Sequence, residues 1–269
     1  MLADDGFFSR VSLGQFGFRW LHILAGIMWI GLLYYFNFVQ VSAFAAFESE
    51  PHKEVGGKAR LIAIDKVTRK ALWWFRWAAL GTFLTGIMIT GIVEGYYDAG
   101  VDASGAEIGW ERFAGNLGIS TGMLLGTIML LNVWGVIWRN QKIVLANAAN
   151  VLAGGEANPE AAAAGRKALM ASRQNTIFSV TMLFFMIFKS HSPLAGNVLE
   201  SSDLGVYWAV ALVLIVVLEL NALGLMPWKT AANKGLNKIY DGPGVRNTLV
   251  ATFVLWAAFL VLTEIFFRV

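Results

Sequence analysis

Residues Arg19–Gln40, RWLHILAGIMWIGLLYYFNFVQ, place the first constraint on the fold. A bilayer core takes about 20 mainly apolar residues at 1.5 Å rise each, and this run is long enough to cross one. It is not uniformly apolar. At about 100° per residue, His22, Gly26, Trp29, Leu33, Asn37 and Gln40 fall on one stripe, polar at both ends and apolar between. His22 and Asn37 lie about 22 Å apart along the helix axis. Imidazole and amide groups are costly in hydrocarbon, so the stripe is expected to face other helices or a bound group. His22 then has two readings: it holds something, or a neighbouring helix satisfies it.

Composition generalises the point. The chain is 57% hydrophobic and 14% charged, where soluble domains carry about 25% charged residues. Six apolar runs, Phe16–Phe44, Leu72–Val93, Leu117–Trp138, Ile177–Phe188, Leu204–Met226 and Thr248–Phe267, predict an all-α integral membrane bundle of about six transmembrane helices. The whole chain, 1–269, reads as one helical domain in contact with the lipid bilayer. The fourth run is the shortest and is expected to extend back through Asn175 and Thr176. The N-terminal MLADDGFFSRVS has neither a basic region nor a cleavage site, so a removable signal peptide is not expected.

Charge placement orients the bundle. Of 21 Lys and Arg, fifteen (Arg173 and Lys229 among them) lie in the connections after the first, third and fifth runs; five (Arg10, Arg19, Arg112, Lys189, Arg268) lie on the opposite side, and Arg76 is within a run. The positive-inside rule then puts both termini on the outer (periplasmic) side. The net charge of +3 is explained by this topology and does not point to nucleic acid. Lys58–Lys70 has charges at helical spacing and is expected to prolong the second helix. Asn158-Pro159-Glu160 reads as the start of a short alanine-rich surface helix, Pro193 as the end of the fourth span and Leu225–Pro227 as the end of the fifth. Trp110, in the outer loop Glu94–Asn116, is expected at the membrane interface.

With no cysteine, the chain cannot make disulfides, thiolate metal sites, iron–sulfur clusters or a covalently attached heme. Imidazole chemistry has three candidates. His52 belongs to a solvated loop. His22 and His191, the latter in KSHSP, are expected at similar depth near the outer face, as two axial ligands of a b-type heme require. Trp20, Trp29, Met182, Phe184, Phe185 and Met186 would line the macrocycle or simply fill helix interfaces. A His/Met copper site is disfavoured, because no tight cluster of soft ligands is present.

A second polar set gathers toward the other face: Asn37, Gln40, Arg76, Asn132, Glu219 and Asn221. Arg76 either snorkels to headgroups or pairs with an acid. Glu219, flanked by apolar residues, is expected to pair with Arg76 or an amide, hold a proton, or line a cavity. For Asn37, Gln40 and Asn132, hydrogen bonds between helices compete with substrate binding. Glu94 and Glu264 are expected to reach water or a partner.

RWLHILAGIMWIGLLYYFNFVQ, LWWFRWAALGTFLTG, LNVWGVIWRNQK and SRQNTIFSVTMLFFM, followed by SHSP, resemble the membrane domain of bacterial urate hydroxylases of the PuuD type. The blocks span Arg19 to about Pro193, and the first also resembles, more loosely, the first helix of HemJ-type protoporphyrinogen oxidases. The resemblance implies an oxidoreductase of the bacterial inner membrane that oxidises a purine, urate, and passes electrons to a cytochrome c. His22 and His191 would hold heme b. Arg76 and Glu219 would serve catalysis by pairing with the anionic purine and handling a proton, while Asn37, Gln40 and Asn132 would match its carbonyl and N–H edges. The family carries a fused C-terminal cytochrome c domain, which this sequence, ending at Val269 without cysteine, does not show. The departure implies a separate cytochrome acceptor, or a non-catalytic or electron-relay subunit of a larger respiratory complex. The HemJ-like block alone implies a third reading, porphyrinogen oxidation.

Overall fold

Six long helices account for most of the computed structural model, which describes residues 13–92, 100–101, 105–226, 234–241 and 244–268. They are α1 (Phe18–Glu48), α2 (Lys53–Gly91), α3 (Ala114–Leu152), α4 (Ala161–His191), α5 (Ser201–Leu223) and α6 (Arg246–Phe266). All but α4 are long and apolar enough to cross a membrane. α4 has the length, at 31 residues, but its first half is polar. The expectations on Arg10, Glu94, Pro227, Lys229 and the N-terminal dodecapeptide fall outside the described residues.

Successive helices run antiparallel, and side-chain pairs fix their register. Small residues let α1 and α2 approach closely: a Cβ at Gly81 would lie 3.7 Å from the Ala25 Cβ, and one at Gly26 would lie 3.8 Å from the Thr82 Cγ2. α3 meets α4 through Gly118 and Gly122, and Gly115 meets Ala195 just beyond the end of α4; a Cβ at Gly118 would lie 2.7 Å from the Phe188 ring. Phe185, Phe188, Phe259 and Phe267 then interlock α4 with α6 by edge-on ring contacts, with all four rings buried. α4 is therefore the central helix. Its polar start is sheltered by neighbours, which explains how a helix too polar to face lipid belongs to the bundle.

Two helices serve as rulers. α5 and α6 have 23 and 21 residues, about 30–35 Å at 1.5 Å per residue, the thickness of a hydrocarbon core. α1–α4 share one end with them, where Arg112 Nε donates to the Leu199 carbonyl (2.8 Å) and Asn197 Nδ2 to that of Phe267 (2.8 Å). At the opposite end the longer helices overshoot and form a helical head. There Asp65 pairs with Arg69 at 2.5 Å and Glu48 with Arg60. Residues 58–70 are continuous with α2, as the charge spacing predicts.

Helix ends differ from expectation in two places. The alanine-rich stretch is the first turns of α4 and not a separate surface helix, so Arg173, counted as a loop cation, lies within a helix and is buried. Asn158 is not the N-cap of α4. Its Oδ1 accepts from the Glu160 N–H (2.9 Å) in the turn before the helix. α5 closes at Gly224, next to the expected stop at Leu225–Pro227. Gly224 has φ +70°, and the Leu225 N–H returns to the Leu220 carbonyl at 2.9 Å, so a left-handed glycine ends the helix. α4 ends at His191, two residues before Pro193, as expected.

Candidate functional site

The polar start of α4 organises the interior. Ser172, Arg173, Gln174, Asn175 and Thr176 are consecutive, and each is less than a tenth exposed. Neighbouring residues on a helix point about 100° apart, so such a run offers polar groups to every surrounding element. Toward α1, Ser172 Oγ accepts from Asn37 Nδ2 at 2.8 Å, and the Tyr34 and Ser179 hydroxyls meet at 2.9 Å. Toward α3, Asn175 Oδ1 accepts from Asn132 Nδ2 (2.9 Å), while its own Nδ2 donates to the Met129 carbonyl (2.9 Å). The other Asn132 N–H reaches α5, donating to Glu219 Oε2 at 3.1 Å.

The far side of α4 faces the segment between α5 and α6. Tyr240, buried, donates its hydroxyl to Gln174 Oε1, and its carbonyl accepts from Arg173. Arg166 and Asp241 form a bidentate pair (2.5 and 3.1 Å), and Asn221 Nδ2 donates to Asn237 Oδ1 at 3.2 Å. Residues 234–241 thus cap the polar band at the head end. Burial, and next the Glu219 carboxylate, push the Tyr240 phenol above its ordinary range, against a smaller opposing effect from Asn221.

Backbone geometry contributes. Tyr35–Gln40 in α1, Ile64–Thr68 in α2 and Asn132–Ile137 in α3 are single π-type turns. Each inserts a residue into the helical repeat and rotates the downstream turns, a device common where helices carry function. Asn37 lies within the first, and Asn132 opens the third.

Of the sequence-derived set, Asn37, Asn132 and Glu219 therefore gather on α4, and Arg76 and Gln40 do not join them. Gln40 Oε1 accepts from Thr68 Oγ1 at 2.8 Å, tying α1 to α2. Arg76 lies over the Trp138 ring at 3.8 Å, and its carbonyl accepts from Trp134 Nε1 (3.2 Å). The acid's partner is the Asn132 amide and not Arg76. Glu264, at the other end of α6, is exposed within 3.8 Å of Arg268. Among the described residues, Asn37 Oδ1 and Gln174 Nε2 find no hydrogen-bond partner, on side chains 2% and 0% exposed. An unmet polar atom in such a place costs about 1–3 kcal/mol. One is an acceptor and the other a donor, and they flank opposite sides of α4. Arg173, Gln174 and Tyr240 are the residues that sequence reasoning missed. The available signal was SRQNT, five polar residues joined without a break to an apolar helix.

The α1 stripe faces inward, with Trp29, Leu33 and Asn37 buried and His22, Gly26 and Gln40 half-buried. His22 leans on α2. Its Nδ1 lies 2.8 Å from the Thr82 carbonyl and 3.3 Å from Thr85 Oγ1. A carbonyl can only accept, so Nδ1 carries the proton and Nε2 is the lone-pair nitrogen. Gly86 makes room for the ring, since a Cβ there would lie 3.3 Å from Cε1. His191 is the exposed last residue of α4, its Nδ1 3.3 Å from the Ile187 carbonyl of its own helix. The Tyr34–Ser179 bond sets the α1/α4 register, and His22 and His191 each lie twelve residues beyond it in the same direction, about 18 Å. The two rings thus share a depth, but they lean on different helices. The described residues hold no cluster of three or more metal-ligating His, Cys, Asp or Glu side chains. No family model, curated protein or solved structure matches the chain.

Proposed function

We propose that the protein is a multi-pass oxidoreductase of the bacterial inner membrane, of the urate hydroxylase kind, which oxidises a purine and passes electrons through heme b to a separate cytochrome c. The observation that carries this reading is the seating of His22. A ligating histidine is normally oriented by donating its second ring N–H to a carbonyl or carboxylate, and the Thr82 carbonyl does this here, leaving Nε2 for iron. The seat suits a ligating imidazole, with Gly86 providing clearance for the His22 ring that would hold the group. His191, at the same depth, is the second ligand in this reading; its exposed ring would turn toward the group on binding. Bound heme would supply one-electron transfer.

The polar band would hold the purine. Gln174 Nε2 offers an unused donor beside Arg173, whose guanidinium, with one N–H on the Tyr240 carbonyl, brings positive charge to that side of α4; Asn37 Oδ1, an unused acceptor, lies on the opposite side and would not reach the same ring. Glu219, held by Asn132, would accept the proton that purine oxidation releases. With the buried Arg173 set aside, the sequence still assigns fourteen cations to the head-side helix extensions and connections against five to the opposite side, which supports both termini facing outward.

A specific observation favours the second reading, an electron-relay or non-catalytic subunit. Asn132, Asn175 and Ser172 are each bonded to a side chain of a neighbouring helix and not left facing open space. The two readings separate experimentally. Optical spectra of the purified wild type, His22→Ala and His191→Ala should show a b-type heme in the first, altered or lost in each variant. Urate consumption with an electron acceptor should then accompany the heme. Heme without urate turnover favours the relay subunit; no heme in the wild type removes both redox readings.

A further inference from the structure

Arg76, excluded from the polar band, is left with a different environment. It lies on α2 at the level where α5 and α6 end at the head: Trp134, two residues from Asn132, donates to the Arg76 carbonyl, and Asn132 bonds Glu219 near the end of α5. This is the depth of a membrane–water interface. Its guanidinium stacks on Trp138 at 3.8 Å and lies 5.9 Å from the Trp134 ring. Three further tryptophans, Trp73, Trp74 and Trp77, stand beside it on the bundle exterior, 45–53% exposed, with Trp77 5.4 Å from Trp134. Among the described residues no carboxylate forms an ion pair with Arg76, and its Nε has no hydrogen-bond partner. Lys70, Arg139 and Lys142 are exposed on the adjoining turns of α2 and α3.

A cation stacked on an indole keeps its in-plane N–H groups for an anion, and Arg suits a phosphate because it offers them as a planar fork. Tryptophans at this depth sit among headgroups with their rings against acyl chains. We infer that Arg76, framed by Trp73, Trp77, Trp134 and Trp138, binds the phosphate of an anionic phospholipid on the head-side leaflet. The flanking Lys70, Arg139 and Lys142 favour a headgroup with net negative charge over a zwitterionic one, since each basic residue near a charged leaflet adds attraction. The acyl chains lie on the exposed apolar turns below, including Leu84 and Ile87 of α2. This inference does not rest on the heme or on the purine.

The test uses the full chain in mild detergent. Bound lipid is counted by native mass spectrometry, and thermal melting is followed during titration with phosphatidylglycerol, phosphatidylcholine or inorganic phosphate. Wild type should retain and prefer phosphatidylglycerol and melt a few degrees higher with it than with phosphatidylcholine, as preferential binding to the folded state requires. Inorganic phosphate should have no such effect. Arg76→Gln should weaken phosphatidylglycerol binding about fivefold and weaken whatever phosphatidylcholine binding the wild type shows, since both lipids carry the phosphate. Arg76→Lys, which keeps the charge without the planar fork, should fall between them. Equal responses to the two lipids in wild type, undiminished phosphatidylglycerol binding in Arg76→Gln, or reproduction of the effect by free phosphate would each overturn the assignment. Should Arg76→Gln fail to fold, the wild-type lipid comparison and Arg76→Lys still decide.

Discussion

Asn132 carries more of the interior than any other single side chain. Its two amide hydrogens are divided between Asn175 and Glu219, so it joins three helices. Asn132→Leu keeps the volume and removes both bonds, leaving a carboxylate and an amide without their partner; a loss of about 2–4 kcal/mol is expected, measurable as a lower melting temperature in detergent. Asn132→Asp, which sets a second carboxylate beside Glu219, should be at least as damaging at neutral pH and partly recover in acid. Tyr240 tests a different coupling. Its phenol is held above the ordinary range in the folded protein. A group raised on folding stabilises fully below its unfolded value and loses that contribution as pH climbs, because the unfolded phenol ionises first. Stability should therefore fall above about pH 10, and Tyr240→Phe should flatten that alkaline decline while lowering stability at pH 7 through the lost bond to Gln174. Neither effect could be read from the sequence. Asn132 was visible as a polar residue in an apolar run, but Tyr240 sits in a short connection with nothing local to mark it.

Elements interact here mainly by close approach. Along α3 the glycines face α4 backbone and rings; a Cβ at Gly122 would meet Phe185 Cβ at 3.1 Å and the Met186 nitrogen at 3.3 Å. Backbone cannot rotate aside, so Gly122→Val should cost about 1–3 kcal/mol by overpacking. Gly31→Ala on α1, where nothing lies within 4 Å, should be neutral or slightly stabilising by helix propensity. Paired melting curves of the two variants check this, and similar destabilisation in both would argue against tight α3–α4 packing. The helix spans were legible because apolar runs of bilayer length leave few alternatives. The start of α4 was not, since a polar, alanine-rich stretch reads as a surface helix until neighbours are known to bury it.

At the scale of the molecule, four helices overshoot the other two at one end only. That asymmetry, and the excess of Lys and Arg on the same side, predict that the head is cytoplasmic. Reporter fusions or cysteine labelling in this cysteine-free chain should find residues near 155 protected from outside reagents, and residues near 197 accessible. The reverse pattern would invert the topology and place the Arg76 lipid in the other leaflet.

Composition and period were enough to establish an all-α chain with multiple apolar spans, and the inward face of α1, because hydrocarbon penalises every unpaired polar group wherever the chain goes. Which polar groups pair with which could not be deduced from the same rule. Glu219 had Arg76 and several amides within plausible reach, and only the registers of α3 and α5 against α4 selected Asn132. Packing likewise set Arg76 against tryptophan at the rim and drew Arg173, nominally a loop cation, into the interior. A penalty on burial acts residue by residue, whereas the choice of partner depends on how helices far apart in sequence rotate and slide against each other.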